Sequence, residues 1–240
     1  MRILKEKYFF EDAGSEQNGE SEHEENNNRT CDGFTVVKKG GCNIACISII
    51  GQIEGHSKLP ADNKTTCYEH LIPLLVSVEC SEKIDGLLVI LNTVGGDVEA
   101  GLAIAELIAG MTKPVVSLVL GGAHSIGIPL AVSADVSLVA ETATMTVHPV
   151  RTNGLVLAVK QSFDILRDMQ ERIIEFVCKN SHISADRFRE LMMNSDDLTT
   201  DIGTVLGGSD AVKEGLLDRV ASLSDALNEA EELVKKMKNH

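Results

Sequence analysis

From residue 44 onward, two rhythms of hydrophobic and polar positions alternate along this chain. Short runs apolar at nearly every position, IACISII (44–50) and GLLVILN (86–92), are rich in β-branched residues, as strands covered by helices on both faces require. Between and after them, apolar residues recur at helical spacing. CYEHLIPLLVSVEC (67–80) has helical length, with Pro73 placed to limit or kink its first turn. GDVEAGLAIAELIAGM (96–111) has the helical period, and Pro114 then opens a further strand, PVVSLVL (114–120). This β-α-β-α-β grammar predicts a largely parallel sheet with right-handed crossovers.

The second half continues with a short helix, IGIPLAVSA, and two strands, 136–140 and 144–147, joined by a tight turn around Glu141 and Thr142. The long segment 155–180 carries an apolar stripe of Leu155, Val159, Phe163, Leu166, Met169, Ile173, Phe176 and Val177. At about 1.5 Å rise per residue, such a helix outreaches a compact domain, so it either lies across its own sheet or packs against another subunit. Helices are predicted over 184–193 with Ser184 as N-cap, over 209–215 with Gly215 closing it, and over 223–238 with acids early and lysines late.

Residues 11–30 contain no large apolar side chain and many acids and asparagines, a composition that cannot offset the entropy of ordering, and they read as a disordered spacer. The organisation predicted is an acidic N-terminal extension (1–43), a main domain (44–222) and a C-terminal helix (223–240). The net charge of -14 disfavours nucleic acid and phosphate-rich partners, and 3% aromatic content gives little for base stacking. No run reaches the 18 or so apolar residues of a membrane span and no signal peptide opens the chain, so a cytoplasmic protein is expected. Six cysteines lie scattered without C-x-x-C pairs or zinc spacing, so neither metal nor cofactor is expected.

Three segments carry candidate chemistry. In T-V-G-G-D (93–97), Gly95 and Gly96 allow backbone N–H groups between a strand and a helix to face a ligand oxygen, although such glycines also serve packing alone. In G-G-A-H-S-I-G (121–127), Ser125 stands at a strand-to-helix turn, where its hydroxyl either caps the helix or is exposed above the sheet edge; the esterase elbow G-x-S-x-G is not matched. In T-V-H-P (146–149), Pro149 holds His148 extended at a strand end, and a neutral imidazole suits taking a proton from serine.

Together with D-A-V-K-E-G-L-L-D-R-V near the end of the chain, these blocks resemble the proteolytic subunit of the Clp protease, ClpP, over roughly residues 44–222. That family carries N-S-P-G-G-S-V-x-A-G, G-x-A-A-S-M-G, H-Q-P and E-A-x-x-x-G-L-I-D in the same order; the divergent second and third blocks look most like its translocation-enhancing branch. The resemblance implies an α/β fold, a ClpP/crotonase-like spiral of β-β-α units with a protruding long helix. It implies a serine endopeptidase cleaving peptides or unfolded proteins through an acyl-enzyme, with or without an ATPase, and a role in secretion, translocation or signal-peptide turnover. Ser125 falls on the nucleophile, His148 on the base, Gly96 and Ile126 on the oxyanion-hole positions, and Gly95, Asp97 and Val98 on the strand that receives the substrate. The family's acid falls on Gly203, which has no carboxylate; Asp201, two residues earlier, is the nearest replacement, ahead of Asp196 and Asp197. The long helix resembles the element that interlocks stacked rings, so homo-oligomeric rings are implied, with a Clp-type ATPase as a partner that no residue here supports. His124 departs from the small residue that the family places beside its serine. Two other readings stay open: a crotonase-type acyl-CoA enzyme, and a catalytically inactive assembly.

Overall fold

A computed structural model describes residues 33–152, 158–195 and 202–239. The described part begins with β1 (Phe34–Lys39) and β2 (Cys42–Glu54), an antiparallel hairpin. Gly40 and Gly41 connect them with φ of 54° and 85°, the backbone that a two-residue hairpin turn needs. There follow β3 (Thr65–Cys67), α1 (Tyr68–Cys80), β4 (Gly86–Gly96), α2 (Val98–Ala109), β5 (Val115–Ala123), α3 (Gly127–Val132), β6 (Val136–Val139) and β7 (Thr144–Val147). The chain then runs through α4 (Val159–Lys179), α5 (Ala185–Met192), β8 (Thr204–Gly207), α6 (Gly208–Lys213), β9 (Arg219–Val220) and α7 (Leu223–Lys238). The strands order as β1-β2-β4-β5-β6-β9, parallel from β2 onward, as the alternating pattern predicts.

Both faces of this sheet are covered, which accounts for runs that are apolar at every position. On one face Ile47, Ile49, Leu87, Val89 and Val119 meet α1 to α5 through residues such as Leu75, Ile104 and Leu130. On the other, Ile44, Leu88, Val116, Leu118 and Leu138 meet Ala226, Ala230 and Val234 of α7. Burying one large aliphatic side chain is worth about 1.5–3 kcal/mol, so these two layers fix the sheet and, with it, the strand ends.

β5 has two sets of partners. Residues 116–119 pair with β6, while Gly122 pairs with Thr144 of β7, whose other edge is antiparallel to β8. β6 and β7 are therefore linked by a turn, closed by Ala143 N–H donating to the Ala140 carbonyl at 3.0 Å, without pairing to each other. This split delivers the ends of β4, β5 and β7 to one place.

Several elements differ from the sequence expectation. β1, β3, β8 and β9 are added, because strands this short or this polar have no apolar run to announce them. β2 and β4 extend to Glu54 and Gly96, while α1 keeps its expected length with Pro73 inside it. α4 starts at Val159, after Ala158 at φ 56°; Leu155, the first residue of the predicted stripe, lies outside the described residues. Ile173, Phe176 and Val177 of that stripe are buried, whereas Val159 and Phe163 are 73% and 66% exposed. The acidic segment 11–30 also lies outside the described residues.

Candidate active site

In a parallel sheet the carboxyl ends of the strands form the edge where ligands collect. Here that edge carries Gly96 at the end of β4, Ser125 two residues after β5 and His148 directly after β7. Ser125 adopts φ 56°, a left-handed conformation that costs a non-glycine residue about 1–3 kcal/mol and persists only where the surroundings hold it. They hold it from both sides. His124 N–H donates to the Thr93 carbonyl of β4 (3.1 Å), and Ser125 N–H donates to the Thr146 carbonyl of β7 (2.9 Å). The Gly127 and Ile128 N–H groups then donate to the His124 and Ser125 carbonyls at 2.9 and 3.0 Å, turning the chain into α3. The turn is an elbow without the esterase sequence motif.

The glycines beside it are explained by close approach. A Cβ on Gly95 (φ 87°) would stand 2.8 Å from Ser125 Cβ and 2.7 Å from the His124 carbonyl oxygen. One on Gly96 (φ 153°) would stand 2.2 Å from the Ile53 carbonyl oxygen. Asp97 N–H donates to that same Ile53 carbonyl at 3.0 Å, which holds the end of the glycine turn against β2. The Ile126 N–H stands in the first turn after Ser125, about where a Cβ on Gly95 would reach it at 3.4 Å. The two candidate oxyanion donors thus come from adjoining, tightly packed turns.

Gly96, Val98, Ser125, Ile126 and His148 line one cleft of about 130 Å³, together with an apolar wall that includes Val150, Ile173, Phe188 and Met192. His148 Nδ1 lies 2.7 Å from the Pro149 carbonyl oxygen. A carbonyl only accepts, so Nδ1 carries the proton and Nε2 keeps its lone pair, the tautomer a base needs. Ser125 and His148 face the cleft together, and among the described residues the Ser125 hydroxyl makes no hydrogen bond. The half-buried His124 ring pairs through Nδ1 with Thr146 Oγ1 at 2.8 Å; burial, and then repulsion from His148 when that ring is protonated, hold its pKa below the ordinary histidine value.

The sequence-assigned residues divide into three groups. Ser125, His148, Gly96, Ile126 and Val98 meet at the cleft. Gly95 stands behind the elbow, and the Asp97 carboxylate is turned away to cap α2, accepting from Ala100 N–H at 2.8 Å. Asp201, Asp196 and Asp197 lie outside the described residues. Gly203, where the family's acid falls, packs directly on His148: its Cβ would meet the Val147 carbonyl oxygen at 2.4 Å and His148 Cβ at 2.9 Å.

Sequence reasoning missed Thr93, Thr146 and the apolar wall. Thr93 is 1% exposed; its hydroxyl donates to the Gly51 carbonyl (2.6 Å) and accepts from Gly95 N–H (3.1 Å), tying the glycine turn to β2. Both threonines sit inside the motifs already singled out, but a threonine in a strand is ordinary until its partners are known.

The profile of the Clp protease family, described as "Clp protease", matches residues 45–224. The Translocation-enhancing protein TepA of Halalkalibacterium halodurans is 60% identical over 194 residues, covering 81% of this chain and 76% of that protein. The four motif blocks and the strand-end cleft all fall within the matched span. With its mixed α/β sheet, its helices on both faces and this match over most of its length, the chain belongs to the Clp protease family.

Proposed function

We propose that this protein is a serine endopeptidase that hydrolyses peptides or unfolded protein segments through an acyl-enzyme on Ser125. The observation that carries this reading is the left-handed Ser125 elbow, held between β4 and β7 and opening with His148 onto one cleft. His148 Nε2 takes the hydroxyl proton as Ser125 Oγ attacks the peptide carbonyl. The Gly96 and Ile126 N–H groups receive the negative charge on the carbonyl oxygen, a donor of this kind being worth about 3 kcal/mol. His148 then returns the proton to the leaving amine, and water, deprotonated in turn by His148, releases the acyl group. Asp201 is assigned to the imidazolium as its stabilising carboxylate, a role in which it replaces the Pro149 carbonyl at Nδ1. The substrate runs as an extended strand past Gly96 and Val98, with an apolar side chain on the wall of Ile173, Phe188 and Met192.

The bare outer half of α4 supports assembly of several copies into rings. Phe163→Asp is expected to lower the mass measured by sedimentation; an unchanged mass would remove α4 from the contact. The name of the H. halodurans relative concerns translocation, and we extend that setting to this chain, with secretory precursors or signal peptides as substrates. The test is hydrolysis of a chemically unfolded protein by the assembled full chain. Wild type should cleave it, Ser125→Ala and His148→Gln should not, and Asp201→Asn should lose about 10⁴ in rate. Cleavage that survives in Ser125→Ala would overturn the reading.

A further inference from the structure

His124 is the residue by which this site departs from the family pattern, and its surroundings give it work to do. Thr146 holds the elbow twice: its carbonyl accepts from Ser125 N–H at 2.9 Å, and its hydroxyl shares a hydrogen bond of 2.8 Å with His124 Nδ1. Thr146 is two residues before His148, so the two side chains lie on one face of the extended chain that ends β7. The ring also has a seat, since a Cβ on Gly122 would come within 2.4 Å of Nε2 and 2.9 Å of Cδ2. An alanine, which the quoted family block carries beside its serine, has no atom that reaches Thr146.

We propose that His124 is a positioning residue: through Thr146 it clamps the Ser125 elbow to the strand that carries His148, and so fixes the separation of nucleophile and base. This rests on the serine-peptidase reading above. With the clamp removed, the elbow keeps one backbone bond to β7, while Ser125 still resists its left-handed conformation. The ring does not touch the substrate in this account, so its loss acts on the rate of attack and leaves binding alone.

The experiment is inactivation of the assembled full chain by a fluorophosphonate, with the maximal rate and the half-saturating concentration measured separately. His124→Ala and Thr146→Val should each lower the maximal rate on the order of tenfold at unchanged half-saturation. The double variant should react no more slowly than either single one, because both remove one shared interaction. Thr146→Ser should react like wild type, and His124→Asn, which restores a polar group near the Nδ1 position, should recover part of the loss. Wild-type rates in His124→Ala, or losses that add in the double variant, would overturn the clamp. If folded wild type does not react at all, the peptidase reading fails on its own, and ¹⁵N-histidine spectra judge the clamp instead. The His148 ring signals should then move in His124→Ala and Thr146→Val but not in Thr146→Ser; unmoved signals would overturn it.

Discussion

Ser125 and Ala158 are the two non-glycine residues at positive φ among the described residues, and both stand at 56°. Their surroundings share nothing else. Ser125 follows a strand in the centre of the sheet, between buried Ala123 and Ile126, and is tied by main-chain hydrogen bonds to Thr146 and Ile128. Ala158 lies on the surface before Val159, itself 73% exposed, and its carbonyl accepts from Ser162 N–H as α4 begins. The same dihedral is enforced by packed neighbours in one place and belongs to an exposed helix start in the other. Backbone strain points to function when it is over-determined by its surroundings and is directed at a cleft.

The strongest way to break this comparison is to relieve the strain at each position. Ser125→Gly should abolish fluorophosphonate reaction, a loss of about four orders of magnitude or more, while its melting temperature holds or rises. Gly95→Ala should come next. A methyl 2.8 Å from Ser125 Cβ, on a residue at φ 87°, should cost about 1–3 kcal/mol in denaturant unfolding and slow the reaction by about a hundredfold. Ala158→Gly should instead stabilise by about 0.5–1 kcal/mol and leave the reaction rate unchanged. A rate loss there equal to that at Gly95 would erase the distinction between the two sites.

The smallest effect concerns pH. The folded pKa of His124 lies below the ordinary value, so as pH falls below about 6.5 the unfolded chain binds the proton first and the folded state loses stability. The loss continues until the folded ring titrates in its turn. His124→Asn should lack this contribution, so its melting temperature should drop less than that of wild type between pH 7.5 and pH 5.5; an equal drop would place the acid sensitivity elsewhere.

Much of the fold was legible because its signals are local. Runs such as GLLVILN read as covered strands, and the spacing in 223–238 gave α7 with its ends correctly placed, Ser222 and Asp225 forming the capping box. The turns holding Gly96 and Ser125 were legible for the same reason, since glycines beside a strand end already announce a sharp turn. What stayed hidden depends on pairing across long stretches of chain. That Thr146 anchors the elbow follows from β7 lying beside the end of β5, and that Gly203 presses on His148 follows from the β7–β8 pairing. The stripe on α4 has one period throughout, yet its inner half is covered and its outer half is bare; periodicity describes a face without saying what meets it. Phe188 and Met192 stand in the helix predicted over 184–193, and only the packing of α5 near the end of β7 makes them the wall of the cleft.

The central claim is that Ser125 Oγ is the nucleophile, and the most direct measurement is peptide mapping by mass spectrometry after fluorophosphonate treatment of the assembled protein. The account predicts one adduct, on the peptide containing Ser125, absent from Ser125→Ala and strongly reduced in His148→Gln. Folded wild-type protein without an adduct from pH 6 to 9, or with the adduct on another residue, would contradict it.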